Sequence, residues 1–507
     1  MTTAASGGPG KVYLVGAGPG HPGLITLRGV ECLRQADVVL YDYLVNPVIV
    51  EHAPLSAELV GLGHHKLGRA VSPKEITARM LEEARKGRTV VRLKGGDPSV
   101  FGRGADEEEA LRAAGIPYEI VPGITAGLAV AAYCEIPITH HEEASAVAMI
   151  TGRERDEKDE SHLGPGLADF PGTLIYYMGV RRVGDWSSSL IEQGKPPDTP
   201  VAIVRWCSRA QQQLVRCTLG TVPEVVERNE ITPPAVFVVG SVVDRAPEVS
   251  WFAARPLISA RVLVTGSPGT AEPLRDGLGA LGADVLTRPT IRVSEPADWG
   301  PVDAALDVLD EYDWLVFSSA NGVDYLFRRL QECGGDVRRL GGVKLAAIGS
   351  GTAERLARYS LQADLLPGQF VAESLARALV AEAAGRRFLL ARTNRGRRVL
   401  PEELKKAGGQ VDEIVVYGSH DVEEPDPSVV AALESGEIDW VTVTSSAIAR
   451  AVVRLYGDAL RQTRLASIGP LTSAALRELG YEPAAEASPY STAGLIEAIV
   501  RGGLKSD

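Results

Sequence analysis

The stretch Arg92-Leu-Lys-Gly-Gly-Asp-Pro-Ser-Val-Phe-Gly-Arg-Gly104 places a glycine-rich turn directly after the predicted strand Thr89–Leu93. Two more glycine turns follow short apolar runs in the same way: Gly16-Ala-Gly-Pro-Gly20 after Val12–Val15, and Pro122-Gly-Ile-Thr-Ala126 after Tyr118–Val121. Ligands of open α/β sheets bind beyond the carboxyl ends of the strands, where glycine lets the backbone approach them closely. One such turn reads equally well as a tight turn, but three in succession predict a binding site.

The rest of the chain alternates short β-branched runs with helical patterns, which is typical of α/β architecture with largely parallel sheets. Residues 244–260 contain two prolines and no clean period, so the main domain boundary is predicted near Ala254. In the first half the further predicted elements are the strands Val38–Tyr41, Val147–Thr151, Thr173–Tyr177, Pro200–Val204 and Ala235–Val239 and the helices Lys74–Lys86 and Asp106–Ala114.

The second half contains an internal repeat. Asp313-Trp-Leu-Val-Phe-Ser-Ser-Ala320 resembles Asp439-Trp-Val-Thr-Val-Thr-Ser-Ser446, and Leu345–Gly349 resembles Leu465–Gly469. The similar offsets, 126 and 120 residues, indicate two related α/β lobes with a ligand cleft between them. The predicted domains are 10–253, with lobes 10–139 and 140–245, and 257–503, with one lobe from 257–292 and 420–503 and the other from 293–419.

The bulk composition argues against several classes of function. The 507 residues carry a formal net charge of −12, whereas a nucleic-acid surface requires a basic face, so no nucleic-acid partner is expected. Neither a signal-peptide pattern nor an apolar stretch long enough to span a membrane occurs, so we expect a cytoplasmic protein without a membrane partner. The five cysteines show no CxxC spacing, which gives no indication of a zinc site.

The glycine turns also lack the signatures of phosphate-binding loops. No GxxxxGK(S/T) sequence occurs, and Gly16–Gly20 does not have the GxGxxG spacing. Pro19 removes a backbone donor where an anion would need one. The turns therefore predict a nucleoside-like ligand without phosphates. S-adenosylmethionine, with its carboxylate, ammonium, ribose, adenine and sulfonium, fits that description.

Five stretches, in order along residues 10–253, resemble the uroporphyrinogen-III C-methyltransferase family: Val15-Gly-Ala-Gly-Pro-Gly-His-Pro-Gly23, Tyr41-Asp-Tyr-Leu-Val45, Arg92–Gly104, Val121-Pro-Gly-Ile-Thr-Ala126 and Tyr177-Met-Gly179. The resemblance implies a two-lobed tetrapyrrole methyltransferase fold, a cofactor site between the lobes and a homodimer formed through this half. It also implies methylation of uroporphyrinogen III at C2 and C7 with S-adenosylmethionine. The product would be precorrin-2, which leads to sirohaem and cobalamin.

The resemblance implies a role for several individual residues. Asp42 matches the family's proton acceptor, and its alternative is a surface carboxylate that caps the next turn. Asp97 suits the hydroxyl or ammonium groups of the cofactor, and Arg103 is expected to bind substrate. The implied cofactor contacts are Pro19, Gly95, Gly96, Asp97, Val100, Thr125, Ala126 and Met178.

Two positions depart from this family's pattern. Leu62 stands where the family often has a lysine assigned as proton donor, and Lys66, His64 or His65 are the open alternatives. Cys207 stands where the family has a glycine near the adenine. No metal is expected, because this methyl transfer needs none. Bidentate metal ligation by the His140-His141 or His64-His65 pair is not expected, since adjacent residues point apart on a strand or helix.

The second half offers hydroxyl-rich ends of predicted strands, among them Ser318–Asn321, Thr444–Ser446 and Gly469–Thr472. A basic run, Arg392–Arg398, follows the predicted strand Phe388–Ala391. Hydroxyls, helix N-terminal amides and arginines make an anion-binding cleft. The alternatives are helix N-capping for the hydroxyls and a solvated helix start for the arginines.

This half resembles uroporphyrinogen-III synthase over about 257–503. The resemblance implies closure of linear hydroxymethylbilane with inversion of ring D. Tyr417 would be the acid that assists loss of a hydroxyl, and Ser319, Thr444, Ser445 and Thr472 would bind substrate. The matching stretches are Val262–Thr265, Asp313–Gly322, Ala347–Gly349, Val415–Tyr417, Thr442–Ser446, Ser467–Gly469 and Ser488–Leu495.

Three hypotheses follow from the two resemblances. The first is a bifunctional enzyme that converts hydroxymethylbilane to uroporphyrinogen III and then to precorrin-2. The second is a methyltransferase with a non-catalytic, synthase-like sensor or interaction domain, which Gly266 favours because the synthases usually have a basic residue there. The third is a methyltransferase of a later corrin intermediate, against which Arg92–Gly104 and the synthase-like half both argue.

Overall fold

The computed structural model describes residues 9–54, 56–63, 71–152, 166–266, 268–369 and 371–503. The chain divides into two compact units after Ser259, except that Leu281–Asp284 belongs with the first unit. Each unit contains two five-stranded sheets accompanied by helices. The α/β class predicted from the sequence is therefore confirmed.

The first sheet of the first unit is entirely parallel. Its strands are β1 Val12–Gly16, β2 Val38–Tyr41, β3 Glu58–Gly61, β4 Val90–Lys94 and β5 Tyr118–Val121. They lie in the order β3-β2-β4-β1-β5. The accompanying helices are α1 Leu27–Arg34, α2 Pro47–Val50, α3 Pro73–Arg85, α4 Gly104–Ala113 and α5 Ala126–Tyr133.

This sheet is covered on both faces, which explains its continuous apolar runs. Val12 and Leu14 of β1 pack into one buried cluster, and Tyr13 and Val15 pack into another. Side chains alternate across a strand, so the two clusters lie on opposite faces. Each fully buried valine or leucine contributes about 1.5–3 kcal/mol, and this burial holds the ends of the strands in fixed positions.

The second sheet of the first unit is mixed. Its elements are β6 Val147–Thr151, β7 Thr173–Tyr177, β8 Pro200–Arg205, β9 Gln213–Thr218 and β10 Ala235–Val239, with α6 Val183–Glu192 and α7 Val222–Arg228. β6 and β7 are parallel, whereas β10 is antiparallel to β7 and β8, and β8 is antiparallel to β9. The prediction of largely parallel sheets is wrong here, because buried central strands read as apolar runs in either direction.

The second unit also contains two five-stranded sheets. The strands are β11 Arg261–Val264, β12 Asp284–Thr287, β13 Ile291–Ser294, β14 Trp314–Phe317, β15 Lys344–Ala347, β16 Arg387–Thr393, β17 Gln410–Asp421, β18 Trp440–Val443, β19 Arg464–Ser467 and β20 Ala485–Glu486. One sheet has the order β12-β11-β18-β19-β20 and the other β13-β17-β16-β14-β15. The internal repeat occupies matching parallel pairs, β14 with β15 and β18 with β19.

Ten helices accompany these two sheets in the described part of the second unit. They are α8 Pro268–Ala280, α9 Gly300–Asp307, α10 Ala320–Glu332, α11 Ser350–Arg358, α12 Ala372–Val380, α13 Val399–Lys406, α14 Pro427–Glu434, α15 Ser446–Tyr456, α16 Pro470–Glu478 and α17 Thr492–Gly502. Over the residues that the structure describes, no helix combines the length and the apolar character needed to cross a membrane.

Candidate functional sites

The three glycine turns meet at the carboxyl end of the first sheet. A methyl group on Gly16 would lie 2.6 Å from Cα of Gly123 and 2.7 Å from the carbonyl oxygen of Gly96. A methyl group on Gly123 would collide with the same Gly96 oxygen. The backbones therefore pack at distances that glycine alone permits. The three turns that predict a binding site therefore lie together in the structure, and the binding itself stays a prediction.

Two backbone hydrogen bonds join the first and second turns. The Gly18 N–H donates to the Gly96 carbonyl over 3.1 Å, and the Gly96 N–H donates to the Gly18 carbonyl over 2.8 Å. Both glycines have positive φ, +78° and +70°, where a side chain would be strained. The segments that contain Pro19 and Gly95, two predicted cofactor contacts, are thereby held together.

Asp97 fastens the second turn to the third. Its Oδ1 accepts a 2.7 Å hydrogen bond from the Ser99 N–H, and its Oδ2 accepts a 2.9 Å bond from the Gly123 N–H. A carboxylate oxygen can accept more than one hydrogen bond, so both oxygens keep capacity for a ligand. The expected contact of Asp97 with the cofactor stays a prediction, and the structure adds an organising role.

The second sheet reaches the third turn through Tyr177. Its hydroxyl accepts a 2.8 Å hydrogen bond from the Gly127 N–H and lies 2.9 Å from Oγ1 of Thr125. Burial raises the pKa of Tyr177, so the hydroxyl keeps its proton and can donate it to Thr125. Thr125 and Ala126, both predicted cofactor contacts, thus lie where the two sheets of this unit meet.

The other predicted ligand residues of this unit have partly exposed side chains: Val100 and Arg103 lie between β4 and α4, and Met178 directly follows β7. Val100 is half-buried, and Met178 is 47% exposed with φ at +55°. Arg103 has φ at +57°, and its guanidinium pairs with Asp106 over 2.8 Å at the surface. Non-glycine residues in this region of φ cost about 1–3 kcal/mol each and cluster at ligand sites.

Asp42, the predicted proton acceptor, lies directly after β2 and is oriented by a buried charge network. Its Oδ1 accepts a 2.6 Å hydrogen bond from Nη2 of Arg92, whose side chain is 4% exposed. Arg92 Nε also donates to Glu107 over 2.9 Å, and Lys94 Nζ donates to the other Glu107 oxygen over 2.7 Å. Burial lowers the pKa of Lys94, and the Arg92 charge adds to that effect.

The departures from the family pattern fall in different surroundings. Leu62 is a core residue, 9% exposed. Lys66, His64 and His65 lie outside the described residues, so the alternatives for the proton donor stay open. Cys207 is buried beside Cys134, and a hydrogen bond with that thiol, together with burial, raises the pKa of Cys207.

His140 and His141 do not point apart as expected from the sequence. They lie in a turn, not on a strand or helix, and their ring centroids are 4.4 Å apart. With Glu142 they place three possible ligand atoms within 4.8 Å of one another. His141 and Glu142 are exposed, and Glu142 already pairs with Arg245 over 3.0 Å. The expectation of a metal-free enzyme stays a prediction.

In the second unit, the predicted residues Tyr417 and Ser319 are in contact. Tyr417 lies on β17 with 7% exposure, and its hydroxyl is 3.0 Å from Oγ of Ser319, two residues beyond β14. The same Oγ accepts a 3.0 Å hydrogen bond from the Gly322 N–H and caps α10. Ser319 therefore caps a helix and also contacts Tyr417.

The other three predicted residues lie on the other sheet of this unit. Thr444 and Ser445 follow β18, Thr472 lies in the first turn of α16 after β19, and these two strands are parallel neighbours. Ser445 caps α15 through a 3.2 Å bond from the Ile448 N–H, whereas Thr472 is 3% exposed. The five predicted residues therefore form one group on each sheet.

Three of the four arginines in the basic run, which begins within β16, pair with acidic residues of the protein itself. Arg392 pairs with Glu413, and Arg397 pairs with Glu373 over 3.2 Å. Arg395 pairs with Asp421 over 2.5 Å. A substrate carboxylate would have to compete with these partners, so the expected free cationic cleft is not found at these three arginines. Gly266, in place of a basic residue, is buried two residues after β11.

Asp421, at the end of β17, binds two arginines. Besides Arg395, it accepts a 2.6 Å hydrogen bond from Nη1 of Arg454 on α15. The hydrogen bonds from Arg454 and Arg395 lower the pKa of Asp421. The loop after β16 belongs to one sheet and α15 to the other, so Asp421 joins the two halves of the second unit.

Two groups at these sites were not expected from the sequence. Arg92 and Lys94 are two basic residues on one face of an apolar strand, and a buried charge needs a partner, so this pattern could have indicated the network with Glu107. The contact of Tyr177 with Gly127 depends on how two sheets meet, and no local pattern predicts it.

Comparisons with known proteins match both halves. Residues 11–223 match the family of tetrapyrrole (corrin/porphyrin) methylases, and residues 272–497 match uroporphyrinogen-III synthase HemD. A porphyrin biosynthesis protein HemD from Ruminiclostridium josui is 35% identical over 439 residues, which are 86% of this chain and 87% of that protein.

Two further relatives cover the first half. An S-adenosyl-L-methionine-dependent uroporphyrinogen III methyltransferase from Methanosarcina barkeri is 44% identical over 239 residues, which are 47% of this chain and 94% of that protein. A crystal structure of uroporphyrin-III C-methyl transferase from Thermus thermophilus, complexed with S-adenyl homocysteine, shows 38% identity and a TM-score of 0.40, covering 46% of this chain and 93% of that one.

Proposed function

Because the chain belongs to the family in which a tetrapyrrole methylase is joined to a uroporphyrinogen-III synthase of the HemD type, we propose that it catalyses two consecutive steps of tetrapyrrole biosynthesis. The second unit closes hydroxymethylbilane to uroporphyrinogen III. The first unit then methylates uroporphyrinogen III at C2 and C7 and gives precorrin-2. The observation that carries the proposal is the meeting of three glycine turns beside Asp42 and its buried arginine.

S-adenosylmethionine fits the residues at these turns. The turns offer closely packed backbone without a phosphate loop and a carboxylate at Asp97, and an exposed Met178 directly follows β7. When bound, this molecule supplies a methyl group already activated as a sulfonium. The residues that we assign to hold it are Pro19, Gly95, Gly96, Asp97, Val100, Thr125, Ala126 and Met178.

The protein then has to position the substrate and move a proton. Orientation of bound reactants can supply about 7–11 kcal/mol of the barrier reduction. Asp42 accepts the proton that is lost from the methylated ring system, and Arg92 holds the carboxylate in place through its 2.6 Å hydrogen bond. Arg103 lies on the loop after the second turn, where a substrate carboxylate could replace Asp106 as its partner.

In the second unit, Tyr417 assists the departure of the substrate hydroxyl as water. The Ser319 hydroxyl, 3.0 Å away, orients the Tyr417 phenol. Thr444, Ser445 and Thr472 bind side-chain carboxylates of the substrate. We also propose a homodimer formed through the first unit, which sedimentation of the intact chain would test.

The intact protein should be incubated with hydroxymethylbilane and S-adenosylmethionine, and the products followed by absorbance and mass. The expected product carries two added methyl groups. Asp42→Asn should slow methylation by about 100-fold or more and leave ring closure unchanged. Tyr417→Phe should do the reverse, with normal methylation of supplied uroporphyrinogen III. Loss of both activities in either variant would contradict this division of labour.

A second candidate is an active methyltransferase whose synthase-like unit is non-catalytic. Gly266 and the internal pairing of Arg392, Arg395 and Arg397 favour it. The same incubation separates the two candidates. If the wild-type protein yields only the type I isomer that forms without an enzyme, the second unit does not catalyse ring closure.

A further inference from the structure

Arg209, which neither the family pattern nor the proposed mechanism uses, lies against the first glycine turn. It follows β8 in the loop that leads to β9. A methyl group on Gly20 would lie 2.7 Å from Cγ and 2.8 Å from Nε of Arg209. The absence of a side chain at Gly20 thus makes the space that the arginine occupies.

The guanidinium of Arg209 is incompletely satisfied. It has five N–H donors, and Nη2 donates to the Leu44 carbonyl. Nε is buried and has no hydrogen-bond partner among the described residues. The charge of Asp284 raises the pKa of Arg209, but by less than burial lowers it. Burial lowers the pKa of Arg209, so the cation sits in an environment that a bound anion would improve.

Several contacts hold this cation beside the methyltransferase site. Leu44 follows Asp42 by two residues, and its Cβ lies 3.0 Å from where a methyl group on Gly95 would be. The indole of Trp206 is 4.8 Å from the guanidinium carbon, which stabilises the charge over its face. Trp206 and Ser208 both have positive φ, +51° and +67°, so a strained loop fixes the arginine.

We propose that Arg209 binds a carboxylate of the tetrapyrrole substrate, an inference that rests on the proposed methyltransferase function. The substrate is a polycarboxylate, and an arginine forms two parallel hydrogen bonds with a carboxylate. The cofactor also carries one carboxylate. The hydrogen bond of Arg209 to the loop of Asp42, which acts on the tetrapyrrole, favours the substrate as the ligand.

The test compares the wild-type protein with Arg209→Met, Arg209→Lys and a matched control, Arg34→Met, which removes an exposed arginine at the end of α1. KM and kcat are measured with uroporphyrinogen III, and the affinity for S-adenosylhomocysteine is measured by calorimetry. We expect Arg209→Met to raise KM by about 10- to 100-fold, as loss of a hydrogen bond between charged groups does. Arg209→Lys should recover part of that loss, and Arg34→Met should behave as wild type.

Other outcomes would overturn the proposal. A tenfold loss of S-adenosylhomocysteine affinity with unchanged KM would assign Arg209 to the cofactor carboxylate. Unchanged KM with a lower unfolding temperature would make it a structural contact. If the wild-type protein does not methylate uroporphyrinogen III, the proposed function fails separately. Binding of uroporphyrin III, followed by fluorescence, then tests Arg209 directly, and equal affinity of wild type and Arg209→Met would refute the inference.

Discussion

Single side chains at strand ends do more than one task in this protein. Asp97 was expected to contact a ligand, yet both of its oxygens already accept backbone N–H groups from Ser99 and Gly123. Ser319 caps a helix and contacts the Tyr417 hydroxyl at the same time. At the scale of a residue, a ligand-binding role and a structural role are therefore combined, and mutations have to be designed to separate them.

Asp97→Ala should weaken S-adenosylhomocysteine binding by about tenfold or more. The change removes the carboxylate and also leaves the Gly123 N–H without its acceptor, which costs about 1–3 kcal/mol where the group is buried. Calorimetry measures the affinity, and Asp185→Ala, an exposed acid of the same unit, is the control. Unchanged affinity would remove Asp97 from the binding site.

Glu107→Gln should destabilise the protein by about 3–5 kcal/mol at neutral pH, because it leaves Arg92 and Lys94 buried with one fewer negative charge. The pKa of Lys94 is already lowered, so the penalty from its charge is present at low pH and fades as pH rises through the folded-state pKa. The deficit should therefore shrink at alkaline pH.

Chemical denaturation at several pH values checks this prediction. Glu108→Gln, next in the chain, removes a surface partner of Arg112 and should cost less than about 1 kcal/mol. A deficit of Glu107→Gln that stays constant with pH would show that Lys94 does not titrate in the network.

At the scale of elements, the sequence predicted strands better than it predicted their directions. Val147–Thr151 and Ala235–Val239 have the predicted bounds, because β-branched runs between turn residues mark strands in any sheet. The same runs carry no information on whether a neighbour is parallel, so the antiparallel pairing of β10 was not foreseen.

The candidate site was likewise predictable only in part from the sequence. Glycine turns after strands can be read from the sequence, and the structure brings all three together. Contacts made between sheets cannot be read in this way. Tyr177 bonds to Gly127, 50 positions away in the sequence, and Arg209 bonds to Leu44, 165 positions away. Both contacts depend on tertiary packing. Roles of individual residues in chemistry stay predictions.

Tyr177→Phe should loosen the start of α5. Thr125 stands at the N-cap of this helix but makes no side-chain cap to it, and the Gly127 N–H is bonded to the Tyr177 hydroxyl instead. Removal of that hydroxyl leaves a buried donor unsatisfied at a cost of about 1–3 kcal/mol. We expect a lower denaturation midpoint and weaker S-adenosylhomocysteine binding.

Tyr118→Phe is the matched control for this change. Its hydroxyl, at the start of β5, donates a 3.1 Å hydrogen bond to Glu108 on α4 and makes no hydrogen bond to α5 among the described residues. We expect little effect on either measurement. Equal effects of the two variants would mean that the hydroxyl of Tyr177 has no special part in the site.

At the scale of the whole molecule, polar contacts join the two sheets within each unit. In the second unit Asp421 binds Arg395, in the loop after β16, and Arg454, on α15 beside the other sheet. Asp421→Asn should therefore destabilise this unit at neutral pH. The folded-state pKa of Asp421 is lowered, so its stabilising effect is present above the ordinary aspartate pKa of about 3.9 and is lost as pH falls through the folded value.

Denaturation midpoints of the wild type and Asp421→Asn should thus differ at pH 7 and converge in acid. Asp458→Asn removes a surface carboxylate that pairs with Arg461 within one helical turn, and it serves as the control. Midpoints that stay apart at low pH would show that the charge of Asp421 is not what joins the sheets.

One strand, β17, carries both Tyr417 and Asp421. The four steps between them span about 13 Å of extended chain. Because side chains alternate along a strand, one inserted or deleted residue would turn either the phenol or the carboxylate to the opposite face. Natural insertions and deletions between these two positions should accordingly come in pairs of residues. An engineered single-residue insertion there should abolish either the proposed ring-closing activity or the ion pair of Asp421 with Arg454.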